Sequence, residues 1–301
     1  PALFALGTGK GPVGQILCLE KEVLVLEKNQ LLLSSLRCCF FSWGFPDNSC
    51  AFGNHATEKV LCNTFAVCES LCDWGDILCA ACPNVTTVIT AGTSTVVCVW
   101  DVAVTKDKLT HMKLRQPLYG HTDTVVCLAV SEVHSIIVSG SHDLTCILWD
   151  LEELSYITQL AGHTTIVSAL AINDLTGEIV SCAGPQLYLW TMKGQLLTCT
   201  DTSCGPQSNI LCISFTQRHE WDSRNVIITG CEDGIIRVKE PVQAKGWERH
   251  LVLHQELNRS QAVSQRRYKN NPAITALAMS RTHATLLAGD AWGQVFTWTC
   301  E

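Results

Sequence analysis

The sequence has few charged residues, no excess of positive charge and no long apolar run. Charged residues make up 16% of its 301 positions and hydrophobic residues 47%, whereas charged residues make up about 25% of an ordinary soluble chain. Such a chain can bury a large core, which excludes a disordered class. The formal charge of -7 argues against a broad surface for nucleic-acid phosphates.

A membrane-spanning helix is not expected, because no stretch approaches the roughly 18 apolar residues that a span needs. The nearest candidate, residues 31–45, is interrupted by Ser34, Ser35 and Arg37. The first residues include neither an initiating methionine nor a basic-then-apolar signal arrangement. We therefore expect a piece of a longer cytoplasmic polypeptide.

Disulfide, metal and cofactor chemistry are not expected either, although the chain has 18 cysteines. Most of them lie inside apolar runs such as ILCLE, VVCVW and TCILW, where a reduced thiol packs as a small apolar group. The CxxC pair Cys79 and Cys82 has no second pair at zinc-ligand spacing and lies in a strand-like run. Residues three apart in a strand face opposite sides. The sequence therefore predicts free thiols and no bound metal.

A repeat of hairpins with a central glycine runs along the chain. The clearest copy, SIIVSGSHDLTCILWDL at residues 135–151, reads as a strand, a tight turn and a second strand. Weaker copies put the glycines at intervals of 48, 48, 44, 46 and 59 residues, namely at Gly44, Gly92, Gly140, Gly184, Gly230 and Gly289. Apolar runs on either side give four strands per repeat, which matches one blade of a β-propeller.

Counting hairpins predicts an all-β, seven-bladed propeller that occupies residues 1–301 as one domain. The hairpins fall at about residues 15–27, 41–52, 86–100, 136–149, 178–190, 226–238 and 285–298. The first two are divergent and closely spaced, so six or eight blades stay open. A blade-connecting insert is expected at about 239–272. It begins at Lys239, where a Trp is expected, and either divergence or a missing loop would explain that residue.

One repeat carries a polar pattern that resembles the signature of WD repeats. A Gly-His pair at His121 is followed by Ser139, Asp143 and a Trp-Asp pair at Trp149. The resemblance implies that these four side chains form a hydrogen-bonded tetrad. A buried polar chain is favourable only when every member finds a partner. We therefore expect a structural role for the tetrad rather than a catalytic His-Asp pair.

The next repeat retains only part of this pattern. His163, Ser181 and Trp190 are present, but Pro185 and Gln186 occupy the turn where the Asp is expected. We therefore expect an incomplete, partial tetrad in this repeat.

The match then becomes narrower than WD repeats in general. The segments ILCAACPNVTTVITAGTSTVVCVWDV, LYGHTDTV, SGSHDLTCILWDLEEL, TGEIVSCAG and EWDSRNVIITG resemble, in this order, the C-terminal propeller of BEACH-domain proteins, in particular the WD repeat and FYVE domain-containing subgroup. The resemblance spans nearly the whole chain. It implies a large cytosolic scaffold of membrane trafficking, selective autophagy or antigen handling, peripheral on endosomal or autophagic membranes, with a BEACH domain ahead of the propeller.

The expected function is a non-catalytic protein-interaction platform. No GxSxG, GxxxxGK or HExxH motif occurs. The expected partners are proteins, including the preceding BEACH domain and autophagy or vesicle proteins, with membranes contacted only indirectly and no nucleic acid. The alternative is a substrate receptor of a ubiquitin ligase. Receptors of that kind usually carry Arg two residues after the Trp-Asp pair, where this chain has Glu152.

Five residues are candidates for partner binding. Trp292, Phe45 and Gln186 fall in the turns and loops where WD-repeat proteins usually bind partners. An exposed Trp is a common anchor for a partner, although Trp292 packed on a neighbouring loop is an open alternative. Arg266 and Arg267 form a basic cluster that would suit an acidic partner or membrane surface, or belong to a solvated loop.

A short motif at Trp74 and Ile77 is a weaker candidate. An aromatic residue, two spacers and an aliphatic residue beside acids is the type of segment that adds a strand to ubiquitin-like autophagy modifiers. The alternative is that Ile77 simply begins the apolar run ILCAAC as a strand of its own blade.

Overall fold

The computed structural model describes most of the chain as β-strands and tight turns. It covers residues 13–18, 23–27, 31–34, 39–43, 51–54, 74–84, 86–105, 108–202, 209–216, 225–243, 249–258, 272–279 and 285–299. Every regular element within these ranges is a strand. No helix that could cross a membrane occurs in this part of the chain.

The strands form seven sheets in chain order, and five of these are propeller blades. Blade I contains β6 (Ile77–Asn84), β7 (Thr87–Gly92), β8 (Val97–Thr105) and β9 (Lys108–Leu118). Blade II contains β10 (Val125–Ser131), β11 (Ile136–Ser141), β12 (Cys146–Asp150) and β13 (Tyr156–Leu160). Blade III contains β14 (Val167–Ile172), β15 (Ile179–Ala183), β16 (Gln186–Trp190) and β17 (Leu196–Asp201).

The remaining strands include two blades and two smaller sheets. Blade IV contains β18 (Ile210–Phe215), β19 (Ile227–Cys231), β20 (Ile235–Gln243) and β21 (Arg249–Asn258), and blade V contains β22 (Ile274–Met279), β23 (Thr285–Asp290) and β24 (Val295–Thr299). The N-terminal sheets contain β1 (Val13–Cys18) with β2 (Val23–Glu27), and β3 (Leu31–Ser34) with β4 (Cys39–Trp43) and β5 (Ala51–Asn54).

The prediction of seven blades is wrong, because the residues that the structure describes form five. It counted each predicted hairpin as one blade, whereas a hairpin specifies only two paired strands and a blade is a larger sheet. The hairpin predicted at 15–27 is β1 paired with β2, and that sheet has no third strand among the described residues. The hairpin predicted at 41–52 is β4 paired with β5, which extends only to β3.

The contacts divide the chain into two compact units. One unit, Asn29–Val167, contains blades I and II. The other, Pro1–Lys28 together with Ser168–Glu301, contains blades III to V apart from Val167 at the start of β14.

The second strand of every blade is buried along its whole length. The five sequences are TVITAG, IIVSGS, IVSCA, IITGC and TLLAGD. A strand covered on both faces does not alternate apolar with polar residues, so these runs combine β-branched and small residues. Small residues allow close packing: a Cβ on Gly230 would lie 2.6 Å from Cγ2 of Ile274 in the next blade.

A thiol or hydroxyl on the first strand links neighbouring blades within each unit. The three bonds run from Cys79 Sγ to Val125 O at 3.7 Å, from Ser168 Oγ to Ile210 O at 2.7 Å, and from Cys212 Sγ to Ile274 O at 3.6 Å. Burial raises the pKa of Cys79 and of Cys212 well above the ordinary thiol value, so each keeps the proton that it donates. All cysteines whose side chains are described are free thiols.

Part of the interval predicted as an insert at 239–272 belongs to blade IV. Strand β20 continues through Lys239 to Gln243, and β21 pairs back along it as the fourth strand. The far end of this long hairpin reaches blade III in the same unit, where Arg249 Nη1 lies 3.0 Å from Glu178 Oε1. Residues 259–271 lie outside the described ranges.

Candidate interaction site

Blade II brings together the four side chains His121, Ser139, Asp143 and Trp149. The His121 ring lies in the loop ahead of β10, with Nδ1 2.7 Å from Asp143 Oδ2 and Nε2 2.8 Å from Ser139 Oγ. Trp149 on β12 donates its indole N–H to the same Ser139 hydroxyl at 2.9 Å. His121, Ser139 and Trp149 are 6%, 0% and 2% exposed. The arrangement joins the loop, both hairpin strands and the turn between them.

Asp143 is ionised in this arrangement because four hydrogen bonds reach its carboxylate. Burial by itself raises the pKa of Asp143, but bonds from the Thr145 side chain, the Thr122 backbone and His121 outweigh burial and hold the pKa below its ordinary value. Thr145 donates its hydroxyl to Oδ1 at 2.6 Å, and the Thr122 N–H donates to Oδ2 at 3.0 Å. A fully buried Ser139 hydroxyl cannot meet a substrate, so this His-Ser-Asp set has no accessible nucleophile.

Blade III repeats the tryptophan–serine bond of this network, because Trp190 donates its indole N–H to Ser181 Oγ at 2.9 Å. His163 belongs to the same compact unit as blade II. Its ring Nδ1 donates to the Leu144 carbonyl at 3.1 Å, and Nε2 lies 3.9 Å from Cys146 Sγ. Burial lowers the pKa of His163, and the bond to Leu144 offsets part of that effect.

The turn of blade III is one residue shorter than that of blade II. Ser181 and Trp190 are nine residues apart, whereas Ser139 and Trp149 are ten apart. Gln186 is the first residue of β16 rather than a turn residue, and its side-chain oxygen accepts the Tyr188 hydroxyl. The side chain of Gln186 is therefore already bonded within its own blade.

Strand register reveals four further residues at tetrad positions, two in blade I and two in blade V. In blade I, Trp100 donates to Thr90 Oγ1 at 2.8 Å, so Thr takes the role of the serine. In blade V, Ala288 occupies the serine position. The indole N–H of Trp298 is accordingly buried with no hydrogen-bond partner among the described residues.

Blade IV has a buried arginine ion pair in place of the tryptophan and histidine hydrogen bonds of blade II. Lys239 pairs with Ile227 where Trp149 pairs with Ile137 in blade II. Arg237, 1% exposed, donates Nη2 to Asp233 Oδ2 at 2.6 Å and Nε to Glu256 Oε1 at 3.1 Å.

These partners keep the Arg237 guanidinium protonated. Burial by itself lowers the pKa of the guanidinium, but the bond to Asp233 and the nearby Cys231 raise it above the ordinary value. Its Nη1 is buried with no partner among the described residues. The sequence signal that could have identified this ion pair is Asp233 in the hairpin turn, followed four residues later by Arg237 on the strand.

Trp292 lies in the hairpin turn of blade V and is 45% exposed. The turn is rigid: Asp290 Oδ1 accepts the backbone N–H groups of Trp292 and Gln294, both at 2.9 Å. Gly293 follows with a φ of 79°, a left-handed conformation that favours glycine.

The other candidates differ in accessibility. Ile77 is the first residue of β6 and only 8% exposed, and Trp74 is half-buried in the turn ahead of it. The Asp76 N–H is bonded to Thr93 Oγ1 at 2.9 Å, so this motif forms part of blade I. Phe45, Arg266 and Arg267 lie outside the described residues. No group of three metal-ligating side chains occurs among the residues that the structure describes.

Comparison with known proteins agrees with this geometry. The sequence profile of the family "WD domain, G-beta repeat" matches residues 112–150 and 197–238. A chain in the crystal structure of a mitotic checkpoint complex has a TM-score of 0.70 at 12% identity, covering 98% of this chain and 92% of that one. That likeness shows the fold alone.

Relatives match over nearly the whole chain. Human WD repeat- and FYVE domain-containing protein 4 is 44% identical over 99% of this chain, and BEACH domain-containing protein A2 of Arabidopsis thaliana is 29% identical over 95%. The chain covers 10% and 8% of these relatives, so it spans about a tenth of their length. The chain therefore has WD repeats and is similar, over nearly its whole length, to part of known BEACH-domain proteins.

Proposed function

We propose that this chain is a non-catalytic protein-interaction segment of a BEACH-type scaffold in membrane trafficking, selective autophagy or antigen handling. Exposed Trp292 carries the proposal, because it stands on a turn fixed by Asp290. A large aromatic side chain on a rigid support loses little entropy on binding, which is typical of an interface anchor.

The polar side chains that could have suggested an enzyme support the same conclusion. His121, Ser139 and Asp143 are bonded to one another in the interior of blade II, where they stabilise the loop and the turn. This use of the tetrad is a proposal that the stability measurements in the Discussion test.

The proposed partners are proteins in the cytoplasm. They include a BEACH domain of the same polypeptide and proteins of autophagic or endosomal vesicles, so that membranes are contacted through those partners. Gln186, Phe45, Arg266 and Arg267 extend the proposed binding residues beyond Trp292. The motif at Trp74 and Ile77 is a weaker candidate, because Ile77 would have to leave β6 to pair with a modifier.

Affinity capture with matched variants tests this function. The 301-residue chain, its Trp292→Ala variant and a Tyr119→Ala control would be immobilised and exposed to cytosol, and the retained proteins identified by mass spectrometry. Tyr119 is an aromatic residue that is 67% exposed in the other unit. Vesicle or autophagy proteins should be retained by the native chain and the control but not by Trp292→Ala.

Two results would contradict the proposal. Retention of a ubiquitin-ligase adaptor as the principal protein would favour the substrate-receptor alternative. Identical retained proteins for all three chains would exclude Trp292 as an anchor.

A further inference from the structure

We propose that the hairpin-turn face of blades IV and V binds a basic, partly apolar segment of a partner protein. We call the surface formed by Glu232, Asp233 and Trp292 the IV–V turn face. This inference rests on the proposed interaction function and adds the chemistry of the partner. Both blades lie in the same compact unit.

Contacts at the start of β22 place the two turns side by side. Gly230 packs so closely on Ile274 that a Cβ there would lie 2.6 Å from Ile274 Cγ2, and Glu232 follows two residues later. On the other side, the Ala291 N–H donates to the Ala273 carbonyl at 2.9 Å, and Trp292 follows directly. The turns that hold Glu232 and Trp292 therefore flank the same two residues, 273 and 274.

The carboxylate of Glu232 is held in a defined position. Asn209 donates its side-chain N–H to Glu232 Oε2 at 3.0 Å, and the Glu232 N–H donates to the Asn209 carbonyl at 2.9 Å. The residue is half-buried, so its position is defined by Asn209 while part of the residue remains accessible. A preoriented acid suits a Lys or Arg side chain of a partner segment, and the exposed indole on the neighbouring turn can take a further cationic or apolar side chain of that segment.

The charge of this region favours a basic partner. The exposed or half-buried charged side chains described in the turns and strand ends of blades III to V on this face are acidic, namely Asp201, Glu232 and Asp233, whereas Asp290 is fully buried. The nearest described cation, Arg237, is buried and paired with Asp233. A face with one sign of charge attracts the opposite sign and repels its own. The exposed indole adds apolar area that a neighbouring Leu or Met of the partner can cover.

A peptide-binding measurement tests the inference. The probe is a fluorescein-labelled nonapeptide of alternating arginine and leucine, and the readout is its anisotropy on titration with the 301-residue chain. A peptide with glutamate in place of arginine is the matched probe. We expect the basic peptide to bind, the acidic peptide not to bind, and affinity to fall as salt rises.

Variants separate the two parts of the face. Trp292→Ala should weaken binding about tenfold or more, and Glu232→Gln about two- to fivefold, the range for an exposed ion pair. Glu153→Gln, which makes the same charge change on an exposed acid in the other unit, should leave the affinity unchanged. The melting temperatures of these variants should match that of the native chain.

Other results would overturn the inference. Equal binding of the acidic peptide, or equal losses for Glu232→Gln and Glu153→Gln, would mean that the face does not select basic charge. Binding that arises only after Arg266 and Arg267 are replaced by Glu would mean that the chain's own basic residues occupy the face. If the peptide fails to bind while protein capture still depends on Trp292, the inference fails and the proposed function stands. If the peptide fails to bind and protein capture is also the same with and without Trp292, the inference and the proposed function both fail.

Discussion

Single residues account for the differences between the five blades. Blades I, II and III give the buried tryptophan a hydroxyl acceptor from Thr90, Ser139 and Ser181. Blade V has Ala288 instead, and the Trp298 indole N–H lacks an acceptor among the described residues. An unsatisfied buried donor costs about 1–3 kcal/mol, so blade V carries a defect that one atom could correct.

Ala288→Ser should therefore stabilise the chain. The new hydroxyl would lie where Ser139 and Ser181 accept a tryptophan N–H, and the expected gain is about 0.5–1.5 kcal/mol, the usual net value of a hydrogen bond. Urea unfolding would measure it. The matched control is the same substitution in a Trp298→Phe background, which has no indole N–H. A gain of equal size in that background would show that the hydroxyl has a different partner.

Asp143 should make stability depend on pH. Its folded pKa lies below the ordinary value of 3.8, so the unfolded chain binds the proton more tightly. The contribution is fully present above about pH 4 and is lost as pH falls through the folded pKa. Asp143→Asn should cost about 1–3 kcal/mol at pH 7, and this cost should shrink progressively as pH falls below 4. Urea titrations of both proteins over a series of pH values from 7 downward would measure this, and a cost that does not change over the series would contradict the assignment.

The hairpin turn is an element whose conformation persists while its residues change. In four blades the next-to-last residue of the second strand is small, and the residue four positions after it has a left-handed backbone. These turn residues are Thr95 (φ 67°), Leu144 (φ 68°), Gly234 (φ 74°) and Gly293 (φ 79°). Two of the four are not glycine, and such a residue carries strain that the surrounding contacts must offset. In blade II the hydrogen bond from the Thr145 N–H to Asp143 Oδ1 supplies part of that offset.

Arg237 should be the most sensitive residue of blade IV. Arg237→Met removes the partner of Asp233 and leaves a carboxylate in a largely enclosed turn, and breaking a buried pair in this way costs about 3–5 kcal/mol. Thermal and urea unfolding would measure the loss. Asp233→Asn made on top of Arg237→Met should cost much less than Asp233→Asn alone, because the two side chains act as a pair. Additive losses would show that they act independently.

At the scale of the whole molecule, folding and binding should separate. The tetrad lies in the interior of blade II, whereas Trp292 projects from a turn of blade V. Asp143→Asn should lower the melting temperature yet leave protein capture unchanged at temperatures below it. Trp292→Ala should abolish protein capture yet leave the melting temperature unchanged. Capture that is lost with Asp143→Asn in a fully folded sample would mean that the tetrad takes part in binding directly.

The number of blades is a property of the whole molecule, and the hairpin pattern of the sequence predicted too many. Glycine spacing located the hairpins of all five blades, because turn chemistry is local. It did not reveal how many strands join each hairpin. β1 with β2 makes a sheet of two and β3 to β5 a sheet of three, although the sequence predicts a hairpin in each region.

The sequence by itself determined the all-β class, the hairpin positions and the likeness to BEACH-domain proteins, and its spacing placed His121, Ser139, Asp143 and Trp149 in one repeat. These features rest on short-range spacing, which the period of a strand and the geometry of a turn convert directly into structure. Only the tertiary structure decided that the described residues form five blades, that Arg237 forms the buried ion pairs of blade IV and that the Trp298 indole N–H has no acceptor among the described residues. Each of these depends on which strand lies beside which, and pairing between distant segments is not written in any local pattern of residues.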